Sequence, residues 1–152
     1  MTARVSKSPD SRYTLLLVED GAAEAQIVRR ALRALGRDVA LCVVRDGQEA
    51  VDYLLGQDGP AGARDRPFPD LVLLDLRMPR LDGLEVLAQV RKHPETRLLP
   101  VVVWTTSCEI DDVRAAYAAG ANSYIEKPQD YERLRAILET VFRYWLDTAL
   151  LP

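Results

Sequence analysis

Five polar side chains stand at the same place relative to an apolar run. Glu19 and Asp20 close "LLVED", Asp75 follows "LVLL", Thr105 follows "VVVW" and Lys127 follows "SYIE". Three acids, a hydroxyl and an ammonium delivered to one edge would be an odd accident of packing. Crowded carboxylates raise one another's pKa unless a cation balances them, so a divalent metal or a lysine partner is expected. All-oxygen ligands point to Mg2+, which takes one or two protein carboxylates and leaves positions for water and phosphate oxygens. In that setting an aspartate can attack phosphorus and form an acyl phosphate. Asp75 is placed to attack, with Lys127 and Thr105 to neutralise the phosphoryl oxygens.

The convergence requires that the apolar runs be neighbouring strands of one sheet. Residues 14–19, 39–44, 71–74, 101–104 and 123–126 are short, apolar and β-branched-rich, and read as strands. Between them, helical periodicity puts Ile27, Val28, Ala31, Leu32 and Leu35 on one face, then Ala50, Val51, Leu54 and Leu55, then Leu84, Leu87 and Val90. Segments 109–119 and 130–148 complete five β-α repeats. Gly36, Gly83 and Gly120 are expected to punctuate helices through left-handed backbone. Thr106 and Ser107 are candidate caps for the fourth helix. Regular alternation with continuous apolar strands gives an α/β fold, a doubly wound five-stranded parallel sheet of order 2-1-3-4-5, flavodoxin-like. A ligand then binds beyond the carboxyl ends of strands 1 and 3. Alternation turns Trp104 away from Thr105 and into the core.

A chain of 152 residues, 48% hydrophobic and 28% charged, suits one soluble domain. Its net charge of −3 argues against a nucleic-acid partner, and no apolar run approaches the length of a membrane span. A cytoplasmic protein is expected, with a flexible segment at 1–12, the domain at 13–148 and a tail at 149–152. Cys42 and Cys108 match no metal or redox spacing and read as free thiols, Cys42 in the core. His93, before Pro94, reads as a solvated loop residue. The stretch "GQDGPAGARDRPFP" at 56–69 is a surface insertion, a linker or a docking loop.

Over residues 13 to 145 the motifs resemble, in order, the receiver domains of two-component response regulators: "LLVED", "LLDLRMP", "DG" at 82–83, "PVVVWTTS" and "YIEKP". The resemblance implies that Asp75 accepts a phosphoryl group from a histidine kinase. It implies that Asp20, Asp75 and the Arg77 backbone carbonyl hold Mg2+, with Glu19 contributing through water. Lys127 contacts the acceptor and then the phosphoryl group, Thr105 bonds a phosphoryl oxygen, and Tyr124 falls at the family's switching aromatic. A cis Lys127–Pro128 bond is likewise expected. The 56–69 loop and the ending "YWLDTALLP" look like the small regulators that partner bacterial phytochromes, with no further output domain expected. Gly21 and Glu126 depart from the family pattern.

The last helix carries Leu134, Ile137, Leu138, Val141, Phe142, Trp145 and Leu146, and then an apolar tail. That exceeds the needs of one face, so a two-fold homodimer through this end is expected. Two rival readings remain at this point. A haloacid-dehalogenase-type phosphatase also uses a strand-end Asp, but its Asp-x-Asp signature would need an acid at position 77, which is Arg. A pseudo-receiver acting only as a binding module has no need of the complete acid, threonine and lysine set.

Overall fold

A computed structural model describes residues 12–56 and 67–152. Most of the expected N-terminal segment and of the 56–69 loop therefore lies outside the described residues. The order is β1 (Tyr13–Val18), α1 (Ala22–Leu35), β2 (Val39–Val44), α2 (Gly47–Leu55), β3 (Leu71–Leu74), α3 (Gly83–Lys92), β4 (Val101–Thr105), α4 (Ile110–Ala119), β5 (Ser123–Glu126) and α5 (Tyr131–Phe142). All four strand pairs are parallel, in the order β2-β1-β3-β4-β5.

Period-two alternation sends the strand residues into two cores. Leu16, Val18, Val72, Leu74, Val101 and Val103 pack with Leu54, Leu87, Val90 and Ala116 of the helices on one face. Leu15, Leu17, Leu71, Leu73, Val102 and Trp104 pack with Val28, Leu32, Leu138 and Phe142 of α1 and α5 on the other. Central strands buried on both sides must be apolar throughout, which is why β3 reads "LVLL" without a polar break. Each fully buried Leu or Phe contributes roughly 1.5–3 kcal/mol relative to exposure. Cys42 is half-buried against the first core and Cys108 is exposed; both are free thiols. His93 is exposed at the end of α3.

Helix boundaries follow local chemistry. Asp46, Asp82 and Asp130 each accept a backbone N–H three residues on, capping α2, α3 and α5. Gly36 and Gly120 end α1 and α4 at φ 66° and 107°, as expected of glycine there. Gly83 differs: it opens α3, and positive φ among the described glycines is confined to Gly36, Gly56 and Gly120. Its requirement is close approach, because a Cβ there would lie 2.5 Å from the Asp75 carbonyl oxygen. Neither Thr106 nor Ser107 caps α4. The cap position is Glu109, and the Ser107 hydroxyl instead donates to Asp112.

Two further expectations are corrected at the C-terminal end of the sheet and in the last helix. The Lys127–Pro128 bond is trans, the intrinsically favoured isomer, and Lys127 N–H completes the ladder to Thr105 C=O at 2.7 Å. The expected helix at 130–148 is α5 followed by a π-helical turn, Arg143–Thr148, in which Ala149 N–H reaches the Tyr144 carbonyl. That turn drops Leu146 into the core and lets Arg37 hold Asp147 at 2.9 Å. Leu134, Leu138, Val141, Phe142 and Leu146 are all buried within the chain itself, leaving Tyr144 and Leu150 exposed. No helix among the described residues is long and apolar enough to cross a membrane.

Candidate functional site

Register aligns the carboxyl ends of the strands. Val18 pairs with both Val44 and Leu74, and Leu74 with Val103, so Glu19 and Asp75 leave adjacent strands at the same level. The chain crosses to opposite faces from β1 and β3, which opens a crevice between them. Backbone bonds carry the ladder one step past the strands: Glu19 N–H to Val44 C=O and Asp75 N–H to Val18 C=O. Both carboxylates are thereby fixed while nearly dry, Glu19 being 2% exposed and Asp75 7%.

Lys127 enters from the end of β5. Its Nζ donates to Glu19 Oε2 at 2.6 Å, Asp75 Oδ2 at 3.1 Å and Glu24 Oε2 at 3.4 Å. The other Asp75 oxygen, Oδ1, accepts the Arg77 N–H at 3.2 Å. Burial, followed by the hydrogen bond with Glu24, pushes the Glu19 pKa up to about 8, against the weaker opposing pull of Lys127. Burial also works against the Lys127 ammonium, but its contacts with Glu19 and Asp75 prevail and hold its pKa above the ordinary lysine value. The structure thus resolves the crowding of acids with the lysine.

Asp20 takes a different direction from its neighbour. It is exposed and lines a cleft of about 490 Å³ with Leu76, Arg77, Met78, Pro79, Asp82, Leu84 and Asp112. Thr105 is fully buried at the end of β4, its hydroxyl oxygen facing the Ser107 N–H at 3.4 Å. Tyr124 is half-buried and donates its hydroxyl to the Ser107 carbonyl at 2.8 Å. Both expected switch residues therefore meet at one segment of the β4–α4 connection. Trp104 is buried on the opposite face, as alternation requires. Glu126 is exposed beside Thr105 in register.

The structure brings Glu19, Asp75 and Lys127 together, and it adds two features that the sequence reading did not include. Glu24, on the first turn of α1, joins Glu19 and Asp75 so that one carboxylate oxygen from each lies within 4.8 Å of the others. The Arg77 side chain turns outward and pairs with Asp112 at 2.9 Å, while the Ser107 hydroxyl donates to the same carboxylate oxygen at 2.5 Å. The departure at Gly21 was the available signal for Glu24. The all-oxygen donor set suits a small hard divalent cation, and Mg2+ or Mn2+ fits it chemically.

Comparison with known proteins agrees with this geometry. The model of the response regulator receiver domain matches residues 15–139. The chain is 38% identical over 138 residues to the response regulator Rcp1 of Synechocystis, covering 91% of this chain and 92% of Rcp1. It is 43% identical over 134 residues to a probable methanogenesis regulatory protein, FilR2, of Methanothrix harundinacea, covering 88% of this chain and 84% of that one. Among solved structures, the phosphorylated cyanobacterial phytochrome response regulator RcpA superposes with a TM-score of 0.84 at 37% identity, covering 93% of this chain and 99% of RcpA. The Mn2+-bound form of Rcp1 superposes with a TM-score of 0.80 at 38% identity, covering 92% and 99%. With its strand order, its buried strand-end aspartate and a family match over most of its length, the chain belongs to the response regulator receiver domains.

Proposed function

We propose that this chain acts as a receiver that takes a phosphoryl group from a histidine kinase, of the phytochrome type, onto Asp75, and that the phosphoryl group alters a protein-interaction surface. One observation carries the reading: the Asp75 carboxylate is buried at the switch point of the sheet and held by the Lys127 ammonium and the Arg77 N–H. A carboxylate so oriented is prepaid in entropy for in-line attack.

In the proposed transfer, an Asp75 carboxylate oxygen forms a bond to phosphorus as the bond from phosphorus to the kinase imidazole breaks. The electron pair of that bond stays on the imidazole nitrogen. Lys127 keeps its proton throughout and moves its hydrogen bond from Asp75 to a phosphoryl oxygen. Asp20 and Asp75, with the Arg77 carbonyl and Glu19 through water, are the residues that would hold Mg2+, which supplies charge neutralisation for the phosphoryl oxygens. Loss of the phosphoryl group to water gives inorganic phosphate and restores the Asp75 carboxylate.

The proposed output runs through Thr105 and Tyr124. Thr105 gives its hydroxyl to a phosphoryl oxygen, and the Ser107 carbonyl that Tyr124 now holds shifts with it. A homodimer through the exposed Tyr144 and Leu150 at the C-terminal end is part of the same proposal. The phytochrome assignment is supported by likeness to the phytochrome response regulator RcpA, to the bacteriophytochrome response regulator RtBRR at 38% identity, and to a response regulator in red light signalling of R. palustris at 33% identity.

The test is incubation with Mg2+ and acetyl phosphate, reading intact mass for the wild type and Asp75→Asn. An adduct of one phosphoryl group that the variant lacks is expected. Absence of any adduct, from acetyl phosphate or from a light-regulated kinase, would favour a phosphate-independent binding module. Rapid turnover of small phosphate esters would favour a phosphatase.

A further inference from the structure

Gly21 stands at the cap of α1, where a side-chain oxygen ordinarily bonds the first turn, and it offers none. Glu24 is three residues on, the position from which a glutamate usually reaches back to the cap N–H. Here that N–H is directed to Glu19 Oε1 at 3.3 Å, and Glu24 leans over the site instead, 3.4 Å from Lys127 Nζ. A Cβ on residue 21 would lie 3.0 Å from Glu24 Oε2 and 3.1 Å from Glu19 Oε1. The Glu19 side chain is 1% exposed and cannot retreat, whereas that of Glu24 is 52% exposed and can swing outward. A side chain at 21 would therefore oblige the Glu24 carboxylate to give way by a few tenths of an ångström.

We infer that Glu24 is a fourth acid of the cation site, and that it tightens binding of a small hard divalent cation. The inference rests on the receiver reading above, and on the clustering of Glu24 with Glu19 and Asp75 around a single ammonium. A carboxylate with an oxygen within 4.8 Å of those of Glu19 and Asp75 would act on a bound ion by field and through its water shell. Removal of such an outer partner typically weakens metal binding about 10–100-fold, and the exposure of Glu24 places it near the lower end, about tenfold.

The test is equilibrium Mn2+ binding to the full chain, followed by the electron paramagnetic resonance signal of free Mn2+, which needs no phosphoryl transfer. Wild type, Glu24→Gln and Gly21→Ala are compared, with Glu139→Gln, exposed on α5 toward Arg37, as the control for loss of one negative charge. Expected are a dissociation constant about tenfold higher in Glu24→Gln, a smaller rise in Gly21→Ala and no change beyond about twofold in Glu139→Gln. Melting temperatures of all four are expected to agree within about 4 °C, since each altered side chain or position is at least partly exposed. If wild type binds Mn2+ and Glu24→Gln binds it equally well, the inference is overturned and the receiver reading stands. If wild type binds no Mn2+, both fall together.

Discussion

Replacing Lys127 by Met keeps the length of the stem and removes the ammonium that balances the buried acids. Its Nζ is 2.6 Å from Glu19 and 3.1 Å from Asp75, and the side chain is 9% exposed. Removing one partner of a buried pair costs about 3–5 kcal/mol, because a charge is left stranded out of water. How much charge is stranded depends on pH. With a pKa of about 8, Glu19 is largely neutral at about pH 6, where Lys127 balances chiefly Asp75, and ionised at about pH 9, where it balances both. The variant is therefore expected to lose about 3 kcal/mol at the lower pH and about 5 kcal/mol at the higher.

The wild type should show the matching slope. Glu19 binds its proton more tightly folded than unfolded, with its pKa moved from 4.5 to about 8, so folding takes up a proton across that window. Stability falls as pH rises through it, by at most about 1.4 kcal/mol per unit, and levels off above. Glu24 is held below its ordinary range, first by its bond with Glu19. Its contribution is present above the unfolded value and lost as pH falls through its own lowered pKa, beneath the window of Glu19. Urea unfolding of both proteins in EDTA at the two pH values measures the difference, with equal m-values required for the comparison. An equal loss at both pH values, or a wild type that gains stability from about pH 6 to about pH 9, would refute the reasoning.

Gly83→Ala is expected to destabilise by about 1–3 kcal/mol, because the new Cβ meets backbone atoms, 2.5 Å from the Asp75 carbonyl oxygen and 2.7 Å from Leu76 Cα. A thermal melt within 1 °C or so of wild type would contradict that. For the proposed dimer, exchanging Tyr144 and Leu150 for Ser removes exposed apolar surface and leaves the core intact. Sedimentation should then show a weaker dimer than wild type, and a wild type that is monomeric both with and without the phosphoryl group rules the dimer out.

The strands, their order and the strand-end positions of Glu19, Asp75, Thr105 and Lys127 were legible in the sequence. A sheet buried on both faces leaves an uninterrupted apolar signature, and each polar residue directly after such a run must emerge at one edge. Burial of Trp104 and the helix ends at Gly36 and Gly120 followed from the same local rules. The function of Gly83 did not, since it depends on what lies across space, and the cis bond expected at Pro128 came from the family resemblance rather than from local chemistry, which favours trans. Gly83 is pressed against the end of β3 rather than held in a left-handed turn.

Tertiary structure alone decided how the acids divide. Glu19 and Asp20 are adjacent in sequence, yet one is buried on Lys127 and the other faces the open cleft, because successive residues leave a strand on opposite sides. It also decided that Glu24 joins the site, and that a π-helical turn seats Leu146 in the core while Tyr144 and Leu150 stay exposed. Sequence determines which side chains a strand delivers to its end. Only the packing of neighbouring elements determines which of them meet, since that depends on distances between segments far apart in the chain.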